Sequence, residues 1–335
     1  MRPGHLLLLG AAALLVVLGL ALGPVTIAPG EIAAVAAGSG DPVHAAIIGQ
    51  IRAPRILLGV AVGTALALAG AALQGLLRNP LADPGLIGVT GGASIGAVSV
   101  IVLGEVLFAG LPTGLRPWLL PVAAFLGAGA VTAFVFAIAW RPGGMSVVTL
   151  ILAGVAVNAI AGAFIGVMVY ISDDTQLRDL TFWSLGALGA ANWTLVLVAS
   201  GISLASALAL LSMHRALDLF QVGERAAFHA GIDTERVKLK TGLLTALAVG
   251  GATAAAGPIG FIGLVAPHIA RLLLGAHHRI MMPAAALTGI ALVLSADLAV
   301  RLAVPPAEPP IGIATSLLGG PFFLWLLLTR VRRHA

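Results

Sequence analysis

Long stretches of this chain carry no aspartate, glutamate, lysine or arginine, among them residues 56–77, 117–140, 142–172, 180–213, 241–270 and 309–329. Each matches or exceeds the roughly 20 residues that a helix needs to cross about 30 Å of hydrocarbon. They read as membrane-spanning helices. Only 9% of the residues are charged and 59% are apolar, against roughly 25% charged in a soluble domain, so a soluble globular protein is excluded. Glycine is abundant, at 43 residues, and small residues let helix backbones approach in lipid, where no hydrophobic drive exists between helices. This points to one integrated bundle, a single integral membrane domain over 1–335. The absence of cysteine excludes disulfides, thiolate metal sites and cysteine nucleophiles.

Polar and Pro/Gly-rich breaks place spans near 5–23, 55–77, 85–103, 118–140, 146–170, 193–212, 240–257, 261–275, 281–302 and 311–329, ten in all. The first begins like a signal peptide, but its apolar run of roughly 18 residues is long for one, and it reads as a span. Cytoplasmic loops retain Lys and Arg. With both ends inside, 13 of the 18 basic residues fall on the cytoplasmic side, leaving Arg52, Arg55, Arg116, Arg178 and Arg301 outside. In a bacterial inner membrane, outside is the periplasm.

Enzymatic signatures are missing. There is no G-x-x-x-x-G-K-[ST] phosphate loop, and the two lysines, Lys238 and Lys240, lie far from any glycine loop of that spacing. The glycine-rich "GVTGGASIGAV" (88–98) reads as helix packing. His268 is the histidine expected within a span, and a structural metal site generally takes four ligands, so packing or capping is its expected use. No metal site is expected. Asp297 is the best candidate for a mid-membrane carboxylate; an Asp297–Arg301 pair at i,i+4 is the expected use, with a proton relay as the alternative.

Three stretches carry something more specific: "IRAPRILLGVAVGTALALAGAALQGLLRNPLADPGLIGVTGGASIGA" (51–97), "GPIGFIGLVAPHIARLLLGAHHR" (257–279) and "ADLAVRLAVPPAEPPIGIATSLLGGPFFLWLLL" (296–328), supported by "LILAGVAVNAI" (150–160) and "FWSLGALG" (182–189). They resemble the FecCD family of permeases, the membrane subunits of binding-protein-dependent ABC importers for ferric siderophores, haem and cobalamin. The resemblance runs from about residue 50 to the C-terminus. It implies an all-α polytopic fold of about ten transmembrane helices of the cobalamin-importer type. It also implies a homodimer with the path on its two-fold axis, two cytoplasmic ABC ATPase subunits and a periplasmic substrate-binding protein. ATP and Mg are then bound by the ATPases, leaving this chain without a cofactor.

In permeases of this kind a cytoplasmic loop offers the ATPase a short helix with an E-A-A pattern and a following glycine. Within the loop at about 213–240, "GERAAFHAG" resembles it through Gly223, Glu224, Ala226, Ala227 and Gly231. Small alanines let a helix sit deep in a partner's cleft, negative charge is favoured near a helix start, and glycine can end a helix. Asp233, Glu235, Arg236 and Lys238 are expected to form a polar rim. The alternative is a solvated loop that only anchors topology. The resemblance further assigns Arg52, Arg55 and Arg301 to docking glutamates of the binding protein, against simple snorkelling to headgroups. It points to the fifth and tenth spans as lining the path, with an inner gate near "WRPGGMSVV" (140–148) that includes Gly143, Gly144 and Ser146. The expected function is import of an iron chelate, haem or a ferric siderophore, by alternating access, with cobalamin as the alternative cargo and a stand-alone secondary transporter as the rival class.

Overall fold

A computed structural model describes residues 3–334 except 142–143, 190–191 and 306; Gly143 therefore lies outside the described residues. The chain is helical almost throughout. α1 (Pro3–Ala21) precedes two short helices, α2 (Pro29–Ala36) and α3 (Pro42–Ala46), and a π-helical turn over Ile47–Arg52 leads directly into α4 (Ala53–Leu76). α5 (Val89–Leu107) and α6 (Arg116–Ala139) are followed by a hairpin of two short antiparallel strands, β1 (Trp140–Arg141) and β2 (Gly144–Met145), with Trp140 opposite Met145. Then come α7 (Val147–Ile171), α8 (Asp174–Ser184), α9 (Trp193–Leu210), α10 (His214–Val222) and the short α11 (Glu224–His229). α12 (Thr234–Ala256), α13 (Ile262–Leu274), α14 (His278–Ala303) and α15 (Ile311–His334) complete the fold.

Among the described residues, eight helical runs are long and apolar enough to cross a membrane, and Ile262–Leu274 and Ile311–Leu324 are shorter apolar helices. Together they correspond to the ten expected segments: this is a polytopic, all-α permease architecture. The boundaries moved where local chemistry was overlooked. The third span starts at Val89 rather than 85 because Pro84–Ile87 forms a 3-10 turn that ends at Gly88 with φ +80°, a left-handed conformation that glycine adopts without strain. Asp83 starts that turn by accepting from the Gly85 N–H at 2.8 Å, and desolvation raises its carboxyl above the ordinary value. The seventh starts at Thr234 rather than 240 because the Asp233 carboxylate caps it through the Arg236 N–H at 3.0 Å.

α4 is the centre of the bundle, buried along nearly its whole length against α9, α12, α13 and α14. Its many alanines and glycines explain how four neighbours fit: a Cβ on Gly70 would overlap the carbonyl oxygen of Gly263 in α13. The glycines of 88–98 pack in the same way, with Gly92 and Gly96 of α5 against the backbone of Gly127 and Ala123 in α6. α7, by contrast, leaves Leu152, Ile160, Val167 and Tyr170 exposed on a helix that is apolar all round.

Candidate functional site

The residues with expected roles gather at two ends of the bundle, joined by α14. That helix has 26 residues, so about 39 Å separate its ends at 1.5 Å per residue. Its start is held beside α10: the Asp218 carboxylate accepts from the His278 N–H at 2.9 Å and lies 2.8 Å from His278 Nδ1 and 2.7 Å from His277 Nδ1. His268, in α13, is buried and packs edge-on to Phe322 with ring centroids 5.8 Å apart, a packing role. No group of three or more His, Cys, Asp or Glu suited to a metal ion occurs among the described residues.

At the far end of α14, Arg52, Arg55 and Arg301 come together, and all three are buried, at 3%, 5% and 3% exposure. Asp297 does not pair with Arg301 along the helix as i,i+4 spacing suggested. Its carboxylate instead meets Arg55 of α4 side-on, with Nε–Oδ1 at 2.9 Å, Nε–Oδ2 at 3.1 Å and Nη2–Oδ1 at 2.8 Å. The physical reason is geometry: a planar guanidinium can present two parallel N–H groups to a carboxylate, and the packed neighbour α4 offers that face. Arg55 Nη1 donates to Glu308 Oε2 at 2.6 Å, and the Glu308 side chain is 40% exposed. Arg301 donates from Nη2 to the Gly19 carbonyl at 3.1 Å, and Arg52 donates to the carbonyls of Leu20 and Val25. These two arginines thereby hold the end of α1 and the segment after it. Snorkelling free in headgroups is not what they do here.

At the other end, "GERAAFHAG" forms a helix of its own. Gly223 enters it at φ +141° and Gly231 leaves it at φ +83°. The exit is a Schellman cap, with Gly231 N–H on the Phe228 carbonyl at 2.9 Å and Ile232 N–H on the Ala227 carbonyl at 3.0 Å. The two alanines separate: Ala227 is fully buried against the bundle, while Ala226 faces out with Arg225, Phe228 and His229. An open groove of about 710 Å³ runs beside α11 and is lined by Arg78, Glu224, Phe228, Thr234 and Glu235.

Lys238 is not part of a polar rim. Only 2% exposed, its Nζ lies against Glu224 and 2.8 Å from Glu235 Oε1, and donates to the Met145 carbonyl at 3.0 Å. Of the proposed gate residues, Gly144 sits in β2 at φ +119° and Ser146 caps α7 by accepting from the Thr149 N–H at 3.2 Å. Sequence reasoning missed the partnership of Glu224, Glu235 and Lys238 with the hairpin. The available signal was a lysine, one of only two in the chain, placed one turn after Glu235 at the start of a helix that carries no charge beyond Lys240.

Comparisons with known proteins agree in kind. The sequence model of the FecCD transport family matches residues 11–329. The hemin transport system permease protein HmuU of Yersinia pestis is 47% identical over 280 residues, covering 83% of this chain and 82% of that protein. The cobalamin import system permease protein BtuC of Halobacterium salinarum is 39% identical over 284 residues, 85% of this chain and 74% of that protein. A solved structure of an ABC transporter assigned to the metal-chelate type, in an inward-facing conformation, superposes with a TM-score of 0.86 at 31% identity, covering 97% of this chain and 98% of that one.

Proposed function

We propose that this chain, which belongs to the FecCD transport family and is an ABC importer permease of the metal-chelate type, moves an iron chelate across the cell membrane by alternating access. Haem is the favoured cargo. The observation that carries this choice is the 47% identity with a hemin permease, against 38–40% for the cobalamin permeases. Among the described residues no group of three or more His, Cys, Asp or Glu is suited to a metal ion, which is compatible with a chelate whose metal is already wrapped.

The working assembly is a homodimer of a single-domain permease, with two separate ATPase subunits on the α11 side and a binding protein on the Arg55 side. α11 is the piece offered to the ATPase. Its glycine joints support this, since they let a short helix shift as a unit without unwinding α10 or α12. The outward face of Ala226 and Phe228, beside an open groove, gives a partner something to grip. Gly143, Gly144 and Ser146 are assigned to the inner gate, where the hairpin turns into α7. Docking by Arg52, Arg55 and Arg301 requires an exchange, because these arginines already have partners. A glutamate of the binding protein would displace Glu308, the more exposed of the two carboxylates on Arg55.

Reconstitution of the permease with its ATPase and binding protein tests the reading. ATP-dependent uptake of hemin, competed weakly by a ferric siderophore and by cobalamin, is expected. Preferential uptake of cobalamin would overturn the cargo, and uptake by the permease alone would overturn the class.

A further inference from the structure

Lys238 uses all three of its ammonium protons on three different parts of the fold. It meets Glu224 at the start of α11, Glu235 one turn back on α12, and the Met145 carbonyl in the hairpin between α6 and α7. Glu235 completes the clasp, since its second oxygen accepts from the Met145 N–H at 2.8 Å. Both backbone groups of Met145 are therefore satisfied by side chains from the first turns of α12, on the edge where a third strand would otherwise pair. Gly144 makes room for this: a Cβ there would come within 2.6 Å of Glu235 Oε1. The hairpin leads straight into α7, with the Ser146 N–H bonded to the Ala139 carbonyl at 3.0 Å across its base.

We infer that Lys238 is a positioning residue, a buried bolt that makes the β1–β2 hairpin and the start of α7 follow α11. The bolt rests on the reading of α11 as the ATPase contact. The Lys238 side chain is only 2% exposed, against 44% and 32% for Glu224 and Glu235, so the ammonium resists leaving the carboxylates that neutralise it in a packed site. A push on α11 therefore reaches the hairpin as displacement instead of being lost in the loop. The glycines that flank α11 give it freedom, and Lys238 directs that freedom toward one target.

Lys238→Met keeps most of the stem volume and removes the three contacts. In proteoliposomes holding permease, ATPase and binding protein, this variant should still assemble and hydrolyse ATP. Hemin imported per ATP should fall at least about tenfold, within the range of typical coupling strengths. Lys238→Arg, which keeps the charge and a donor for Met145, should lose less. Because the chain lacks cysteine, spin labels at Trp140→Cys and Phe228→Cys, both exposed sites, report the bolt in the permease alone. Their distance distribution should be narrow in the native chain and broad in Lys238→Met. Should Lys238→Met fail to fold, Glu224→Gln releases the α11 arm from its exposed side and should broaden the same distribution. An unchanged hemin-to-ATP ratio together with an unchanged distance distribution overturns the inference. If the native permease recruits no ATPase, the reading of α11 falls and the coupling role with it, whatever the labels report.

Discussion

Asp297→Asn isolates the ion pair at the far end of α14. The substitution keeps the side chain's shape, so no cavity term enters, and removes the charge that faces Arg55. Both groups are buried, at 4% and 5% exposure, and three N–H···O contacts of 2.8–3.1 Å join them. Breaking a buried pair by removing one partner costs ~3–5 kcal/mol. Glu308 stays on Arg55 at 2.6 Å and offsets part of that loss, so we expect about 3 kcal/mol, or roughly a hundredfold in the folding equilibrium. Equilibrium unfolding in mixed detergent and SDS micelles, followed by circular dichroism, measures it. A double-mutant cycle with Arg55→Met should return a coupling energy of about 2–3 kcal/mol, and one with Arg301→Met less than about 1 kcal/mol. A loss below about 1 kcal/mol for Asp297→Asn, or a larger coupling to Arg301 than to Arg55, would refute the assignment of this pair.

Three further outcomes are expected. Glu308→Gln weakens the hold on Arg55 Nη1 and should tighten binding-protein affinity several-fold if Arg55 docks it, whereas Arg55→Glu should abolish docking; surface plasmon resonance on nanodisc-embedded complex reads both. Gly70→Ala forces a Cβ onto the Gly263 carbonyl and should destabilise by ~1–3 kcal/mol or more through overpacking, seen as a lowered midpoint in the same unfolding titration. Gly231→Val demands φ +83° of a β-branched residue, a strain of roughly 1–3 kcal/mol, and should cut binding-protein-stimulated ATP hydrolysis while the permease remains monodisperse on size exclusion.

Much of the fold is legible in the chain because lipid imposes a harsh rule: a spanning segment must satisfy its own backbone, so length and lack of charge mark it out. Ten apolar segments could be counted without a structure. Their edges were harder to read, because edges depend on single capping side chains such as Asp233 and on turns such as Pro84–Ile87. The site residues split along the same line. "GERAAFHAG" is local chemistry, since a short helix between two glycines is written in adjacent residues and formed as such.

The arginines are different, because their partners lie on other helices. Arg55 and Asp297 are 242 positions apart and Lys238 and Met145 are 93. The i,i+4 rule offered Arg301 to Asp297 because it knows only one helix, and packing then supplied a better acceptor geometry from α4.

What the sequence by itself determined was the solvent: a chain with this little charge must fold in a membrane, as helices, with its small residues at the contacts. What only the tertiary structure decided was which charges meet. In a medium where an unpaired charge is costly, each buried ionic group must find a counter-charge or, as Arg52 and Arg301 do, backbone carbonyls within a few ångströms. Helix packing alone brings Asp297 to Arg55 and Lys238 to the turn before α7.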